Sequence, residues 1–205
     1  MFNCDGEIKN MDITSGFGDT TSNNPRKKEK DCQRLTFHDS NLRYKYGEKI
    51  TFTNSTSTEY ALAIGLNPAL LNKQRFDSTN QKIANELNKR GQYKGYYLLN
   101  LYSIIATDVN KLCTHISNAP LDCNNNMQNI VLEIIQRFEG DMYLFWGPKV
   151  KSKRLITNIH IWEYIKATLH SKKYFYSVDS KNNFVHPGNK DFAGFNKLTS
   201  INFII

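Results

Sequence analysis

An α/β fold is the architecture this sequence predicts: a three-layer α/β/α sandwich with a central, mainly parallel four-stranded sheet and an N-terminal hairpin. Two observations carry that expectation. Four short apolar runs, residues 60–66, 96–101, 142–146 and 174–178, have the length and continuity of strands buried on both faces. Helical patterns lie between them, and alternation of strand and helix is the signature of a parallel sheet with helices on both faces.

The elements follow in chain order. Residues 1–34 are rich in Asn, Asp, Ser, Thr, Gly and Lys without a sustained period, which predicts a mobile extension ahead of a single domain over 35–205. Residues 42–53 alternate around Gly47 and read as a β-hairpin beside the main sheet. After the first buried strand, an amphipathic helix is expected over 78–89, stopping near Gly91. A short helix over 107–115, capped by Thr107 or Asp108, follows the second strand. A longer one over 122–138 places Met127, Ile130, Val131, Ile134, Ile135 and Phe138 on one face, and Gly140 with Asp141 ends it. The last main helix is expected over 152–169, between the third and fourth strands.

Bulk properties narrow the function. The 205 residues suffice for one domain with a sizeable core. The net charge of +8 lies in the body: residues 42–205 hold 21 Lys and Arg against 12 Asp and Glu, a charge of +9, while residues 1–41 carry −1. A basic body makes nucleic acid, and DNA first, the candidate partner, with plain solubility as the other reading. The four cysteines form no C-x-x-C pair, and no signal peptide or membrane-length apolar run is present, so reduced thiols and a cytoplasmic, membrane-free location are expected. Phosphate-loop, G-x-S-x-G and H-E-x-x-H motifs are all missing from the sequence. No metal or other cofactor is expected.

Residues just past the carboxyl ends of parallel strands line the ligand crevice of an open α/β sheet. Here those residues are Gly65-Leu66-Asn67-Pro68, Asn100, Trp146-Gly147-Pro148 and His186-Pro187-Gly188. Gly65 permits close backbone approach, while Asn67-Pro68 is either a turn starter or an amide presented to a ligand. Asn100 ends an apolar run and offers a donor and an acceptor, which suits a nucleobase edge as well as a local backbone partner. Trp146 and Gly147 read first as core and turn, and Asp77 as a helix cap next to Phe76. His186 sits in a loop, where a ligand-binding or catalytic role competes evenly with a structural one.

Taken in order, Leu66-Asn67-Pro68, Asp77-x-Thr79, Asn100-Leu101 with Ala106-Thr107, Asn125 or Asn126, Trp146-Gly147 and His186-Pro187 resemble a bacterial and phage family of unknown function, DUF1643. The layout is also similar to the uracil-DNA glycosylase superfamily, with its Gly-x-Asp/Asn-Pro, Leu-Leu-Asn, Trp-Gly and His-Pro segments. The resemblance implies that Asn67 positions a water, Asn100 reads the base, His186 polarises it and Phe76 stacks on it, with Gly65, Pro68, Asp77, Trp146, Gly147 and Pro187 lining the site. Two departures stand out: the Asp form of the first motif is absent, and no Ser follows His186-Pro187. The expected function is nucleobase recognition in DNA with hydrolysis of the N-glycosidic bond. A non-catalytic nucleic-acid or partner-binding protein and an enzyme acting on free nucleosides or nucleotides are the alternatives.

Overall fold

The four apolar runs become four parallel strands, β4 (Tyr60–Gly65), β5 (Gly95–Asn100), β6 (Met142–Leu144) and β7 (Tyr174–Tyr176). A computed structural model describes residues 11–12, 32–38, 44–68, 78–106, 121–146, 164–165, 167–169, 171–172, 174–177, 185–189, 192, 194–195 and 197–198. Antiparallel strands flank the parallel set: β1 (Met11–Asp12), β2 (Cys32–His38) and β3 (Lys45–Phe52) beside β5, and β8 (Lys197–Leu198) beside β7. Among the described residues the sheet has eight strands in the order β1-β2-β3-β5-β4-β6-β7-β8. It is larger than the four strands and hairpin expected, because polar edge strands carry no buried-strand signal in the sequence.

The hairpin expectation also changes. Gly47 lies inside β3, opposite Phe37 of β2 and Leu99 of β5, rather than at a turn. A Cβ there would stand 3.0 Å from both the Leu98 carbonyl and Leu99 Cδ2, so close packing accounts for the glycine. The antiparallel pair is β2 with β3, and Cys32, Gln33 and Arg34, which fall in the expected extension, are part of it. Next to Gly47 the ladder slips, since His38 pairs with Lys45 while Phe37 pairs with Gly47. Tyr46 is thus the extra residue of a bulge, a device that bends a strand and re-aims its side chains.

Helix α1 (Ser78–Arg90) joins β4 to β5, and helix α2 (Leu121–Arg137) joins β5 to β6. Gly91 ends α1 with a φ of 68°, the left-handed conformation favoured just past a helix end. Lys89 and Arg90 in its last turn complement the helix dipole. Residues 164–165 and 167–169 are helical, in keeping with the helix expected there, whereas the short helix expected over 107–115 lies outside the described residues.

Strand alternation splits the core in two. Ile83, Ala84 and Leu87 of α1 pack with Ala61, Ala63, Tyr96, Leu98, Tyr143 and Phe145. Val131 and Ile135 of α2, with Ile165 and Leu169, pack with Leu62, Ile64, Leu99, Leu101, Leu144 and Trp146. Each buried aliphatic side chain contributes roughly 1.5–3 kcal/mol, which is what holds these amphipathic helices to the sheet.

Candidate functional site at the carboxyl ends of the parallel strands

The parallel strands lie side by side as second, first, third and fourth in chain order, so the chain leaves β4 first toward β5 and later toward β6 on the other side. This reversal between β4 and β6 is the topological switch point where open α/β sheets bind ligands. Gly65 stands there. Its register partner on one side is Asn100 of β5. On the other side the ladder pairs Ile64 with Leu144 and continues through the Phe145 amide, which donates to the Ile64 carbonyl at 2.9 Å, so Phe145 lies beside Gly65. A Cβ at Gly65 would stand 2.7 Å from Asn100 Oδ1 and 2.6 Å from Phe145 Cε2.

Asn100 is 3% exposed, and its Nδ2 has no hydrogen-bond partner among the described residues. Leaving a buried donor unpaired costs about 1–3 kcal/mol, and this one stands one strand over from the switch point, paired in register with Gly65. His186 joins the same cluster, its ring centroid 6.1 Å from that of Phe145. Its Nδ1 accepts the Gly188 amide at 3.0 Å, which places the proton of the neutral ring on Nε2 and makes that atom a donor. The Val185 amide donates to the Ser177 carbonyl at 2.9 Å, and Lys82 of α1 donates to the Asn189 carbonyl at 3.0 Å, so this loop is tied to both β7 and α1.

Asn67 is held differently. Its Nδ2 donates to the carbonyls of Ala106 at 2.8 Å and Pro68 at 3.2 Å, fixing the amide and leaving Oδ1 as the acceptor end. Pro68 and Pro187 are buried, and the Pro68 carbonyl also accepts the Ala106 amide at 3.2 Å. Trp146 packs with Leu66 and Leu101 in the α2-side core, away from the face that carries Asn100 and Phe145. Phe76, Asp77 and Gly147 lie outside the described residues, as do the side chains of Asn125 and Asn126.

The family model described as a protein of unknown function, DUF1643, matches residues 43–187, well over half of the chain. The chain belongs to the DUF1643 family. No curated protein and no solved structure matches this DUF1643 chain.

Sequence reasoning missed three residues on the α1 side of the sheet of this DUF1643 chain. Phe145 supplies the aromatic ring beside Gly65, a placement visible only once β4 and β6 are in register. Ser177, just past β7, is 1% exposed, and its Oγ has no partner among the described residues. Glu48 is 2% exposed, and its Oε1 accepts from Lys45 Nζ at 2.7 Å and Thr36 Oγ1 at 3.3 Å while Oε2 accepts from Asn80 Nδ2 of α1 at 3.2 Å. Glu48 shares its strand face with Ile50 and Phe52 at two-residue spacing, a signal of burial in the sequence. Among the described residues, no group of three His, Cys, Asp or Glu side chains could hold a metal, and no helix is long and apolar enough to cross a membrane.

Proposed function

We propose that this DUF1643 protein recognises a nucleobase in DNA and hydrolyses its N-glycosidic bond, on a three-layer α/β/α domain similar to the uracil-DNA glycosylases. The observation that carries the reading is the unpaired, buried Asn100 amide on one side of Gly65, with the Phe145 ring on the other side and the His186 loop against that ring. An amide donor reads a carbonyl on the base edge, and the ring of Phe145 gives the base an apolar surface.

In this reading a base leaves the stack and enters the crevice. His186 Nε2–H stabilises the charge that develops on the departing base, a preorganised donor in a site of low dielectric. Asn67, its amide nitrogen held by Ala106 and Pro68, keeps Oδ1 as the acceptor that orients the attacking water. An amide is no general base, so Asn67 contributes by positioning, and the reaction should run more slowly than with a carboxylate there. The excess of Lys and Arg supplies salt-dependent contacts to DNA phosphates.

The test is release of labelled base from oligonucleotides carrying uracil or a modified base. Wild type should release product, and Asn100→Ala and His186→Ala should each slow release by on the order of 10²-fold. Release that survives both changes would move the active site elsewhere. No release on any base, with base binding intact, would mark a non-catalytic base-binding protein, a reading favoured by the missing carboxylate at Asn67.

A further inference from the structure

Register places four residues in one row across the carboxyl ends of the parallel strands. Asn100 pairs with Gly65, Phe145 follows the Ile64–Leu144 pair, and Ser177 follows the Leu144–Tyr176 pair. All four lie on the face that packs against α1, because their neighbours two residues earlier on β5, β4, β6 and β7, Leu98, Ala63, Tyr143 and Phe175, belong to that core. The row therefore reads amide, glycine, aromatic ring, hydroxyl.

Both polar ends of this row are orphans. Among the described residues, Asn100 Nδ2 and Ser177 Oγ are buried without a hydrogen-bond partner. Native proteins pair the great majority of such groups. Among the described residues Arg90 Nε and Ser103 Oγ are buried without a partner as well, but Asn100 and Ser177 are the two that fall in this row, at the carboxyl ends of parallel strands. The middle of the row offers no polar side-chain atom. A ligand that satisfies both ends must carry polar groups at its two extremities and an apolar face between them.

The length of the row decides the class of ligand. Asn100 and Ser177 stand three strand spacings apart, about 14 Å between backbones at roughly 4.8 Å per step. A lone base cannot reach both anchors; a base with its sugar and phosphate can. Ser177 also carries the carbonyl that holds Val185, so it lies at the root of the His186 loop. That loop would meet the glycosidic bond, with the base on the Asn100 side and the sugar-phosphate on the Ser177 side.

We propose that Ser177 is a second ligand anchor of the crevice, binding the sugar-phosphate part of a nucleotide whose base is held at Asn100. The assignment rests on the base-binding reading above and extends it from a base to a nucleotide. A serine hydroxyl is one donor and two acceptors, which matches a sugar hydroxyl or a phosphate oxygen.

Calorimetric binding of uracil, uridine, uridine 5′-monophosphate and a single-stranded uracil oligonucleotide to wild type, Ser177→Ala and Asn100→Ala tests this. Ser177→Ala removes one orphan oxygen, so its thermal midpoint should match or exceed that of wild type. Wild type should gain at least tenfold in affinity from the free base to a larger probe. Ser177→Ala should lose that gain while binding free uracil as wild type does, and Asn100→Ala should weaken every probe. The probe at which the gain appears separates a sugar contact from a phosphate contact. A Ser177→Ala protein that keeps the gain, or that weakens all probes equally, overturns the anchor and leaves the base reading standing. Wild type that binds none of the four probes overturns both.

Discussion

Gly65 and Asn100 face each other across the parallel β4·β5 pair, and Asn100 Oδ1 lies 2.7 Å from where a Gly65 Cβ would stand. One missing methyl group thus makes room for the amide that the crevice presents. Gly65→Ala forces a clash with Asn100 and, at 2.6 Å, with the Phe145 ring, and neither can move freely because both are buried. The expected cost is about 1–3 kcal/mol by overpacking, read as a lower urea midpoint. Base binding should fall with it. Unchanged stability would mean that the row has slack at this position.

Asn100→Ala has the opposite balance. The substitution removes packing atoms but also an unpaired donor whose burial costs about 1–3 kcal/mol, so the two effects largely cancel. Stability should stay within about 1 kcal/mol of wild type while ligand binding is lost. Chemical denaturation of the ligand-free protein checks this. A loss of several kcal/mol would show that the amide serves the fold.

The Lys45–Glu48 pair, 2.7 Å apart and buried, should behave as a unit. Lys45→Met leaves the Glu48 carboxylate buried beside Thr36 and Asn80 with its 2.7 Å ammonium partner gone, and removing one partner of a buried pair costs about 3–5 kcal/mol. Arg34, with Nε 3.9 Å from Glu48 Oε1, is too distant to replace that contact in full. The double variant Lys45→Met/Glu48→Gln removes both charges and should be markedly more stable than Lys45→Met alone. A double-mutant cycle on denaturation midpoints measures the coupling, and additive losses would show that the two side chains act independently.

The parallel core was legible because burial on both faces writes a continuous apolar run. Residues 60–66, 96–101, 142–146 and 174–178 match β4 to β7 to within two residues at either end, β5 starting one residue earlier at Gly95 and β6 and β7 each ending two residues sooner. Asn100 was legible for a related reason, since an amide that closes such a run must find a partner. Gly47 misled because a glycine required by close strand contact looks in sequence like one required by a turn. The flanking β2 and β3 carry Arg34, Thr36, Lys45 and Glu48, whose burial depends on their pairing with one another. Phe145 and Ser177 were hidden because register across strands, and no local pattern, brings them into line with Gly65 and Asn100.

Tyr93 and Tyr143 give the fold a pH signature at the alkaline end. Their hydroxyls lie 2.6 Å apart, and Tyr93 donates to Asp141 Oδ2 at 2.5 Å while Gln92 donates to Tyr93. Burial raises both phenol pKa values, and for Tyr93 the hydrogen bond to Asp141 raises it further. The folded state therefore keeps both protons at a pH where the unfolded chain, with tyrosines that ionise near pH 10, has begun to lose them. Stability from this pair is fully present below about pH 10 and is lost as pH rises beyond it, because the folded state then binds more protons than the unfolded one. The double variant Tyr93→Phe/Tyr143→Phe should be less stable at neutral pH, where Asp141 loses a donor, yet should decline less steeply above about pH 10. Urea midpoints of both proteins across the alkaline range measure the two slopes. Parallel slopes would assign the alkaline loss to other groups, and a steeper slope in the variant would contradict the raised values at Tyr93 and Tyr143.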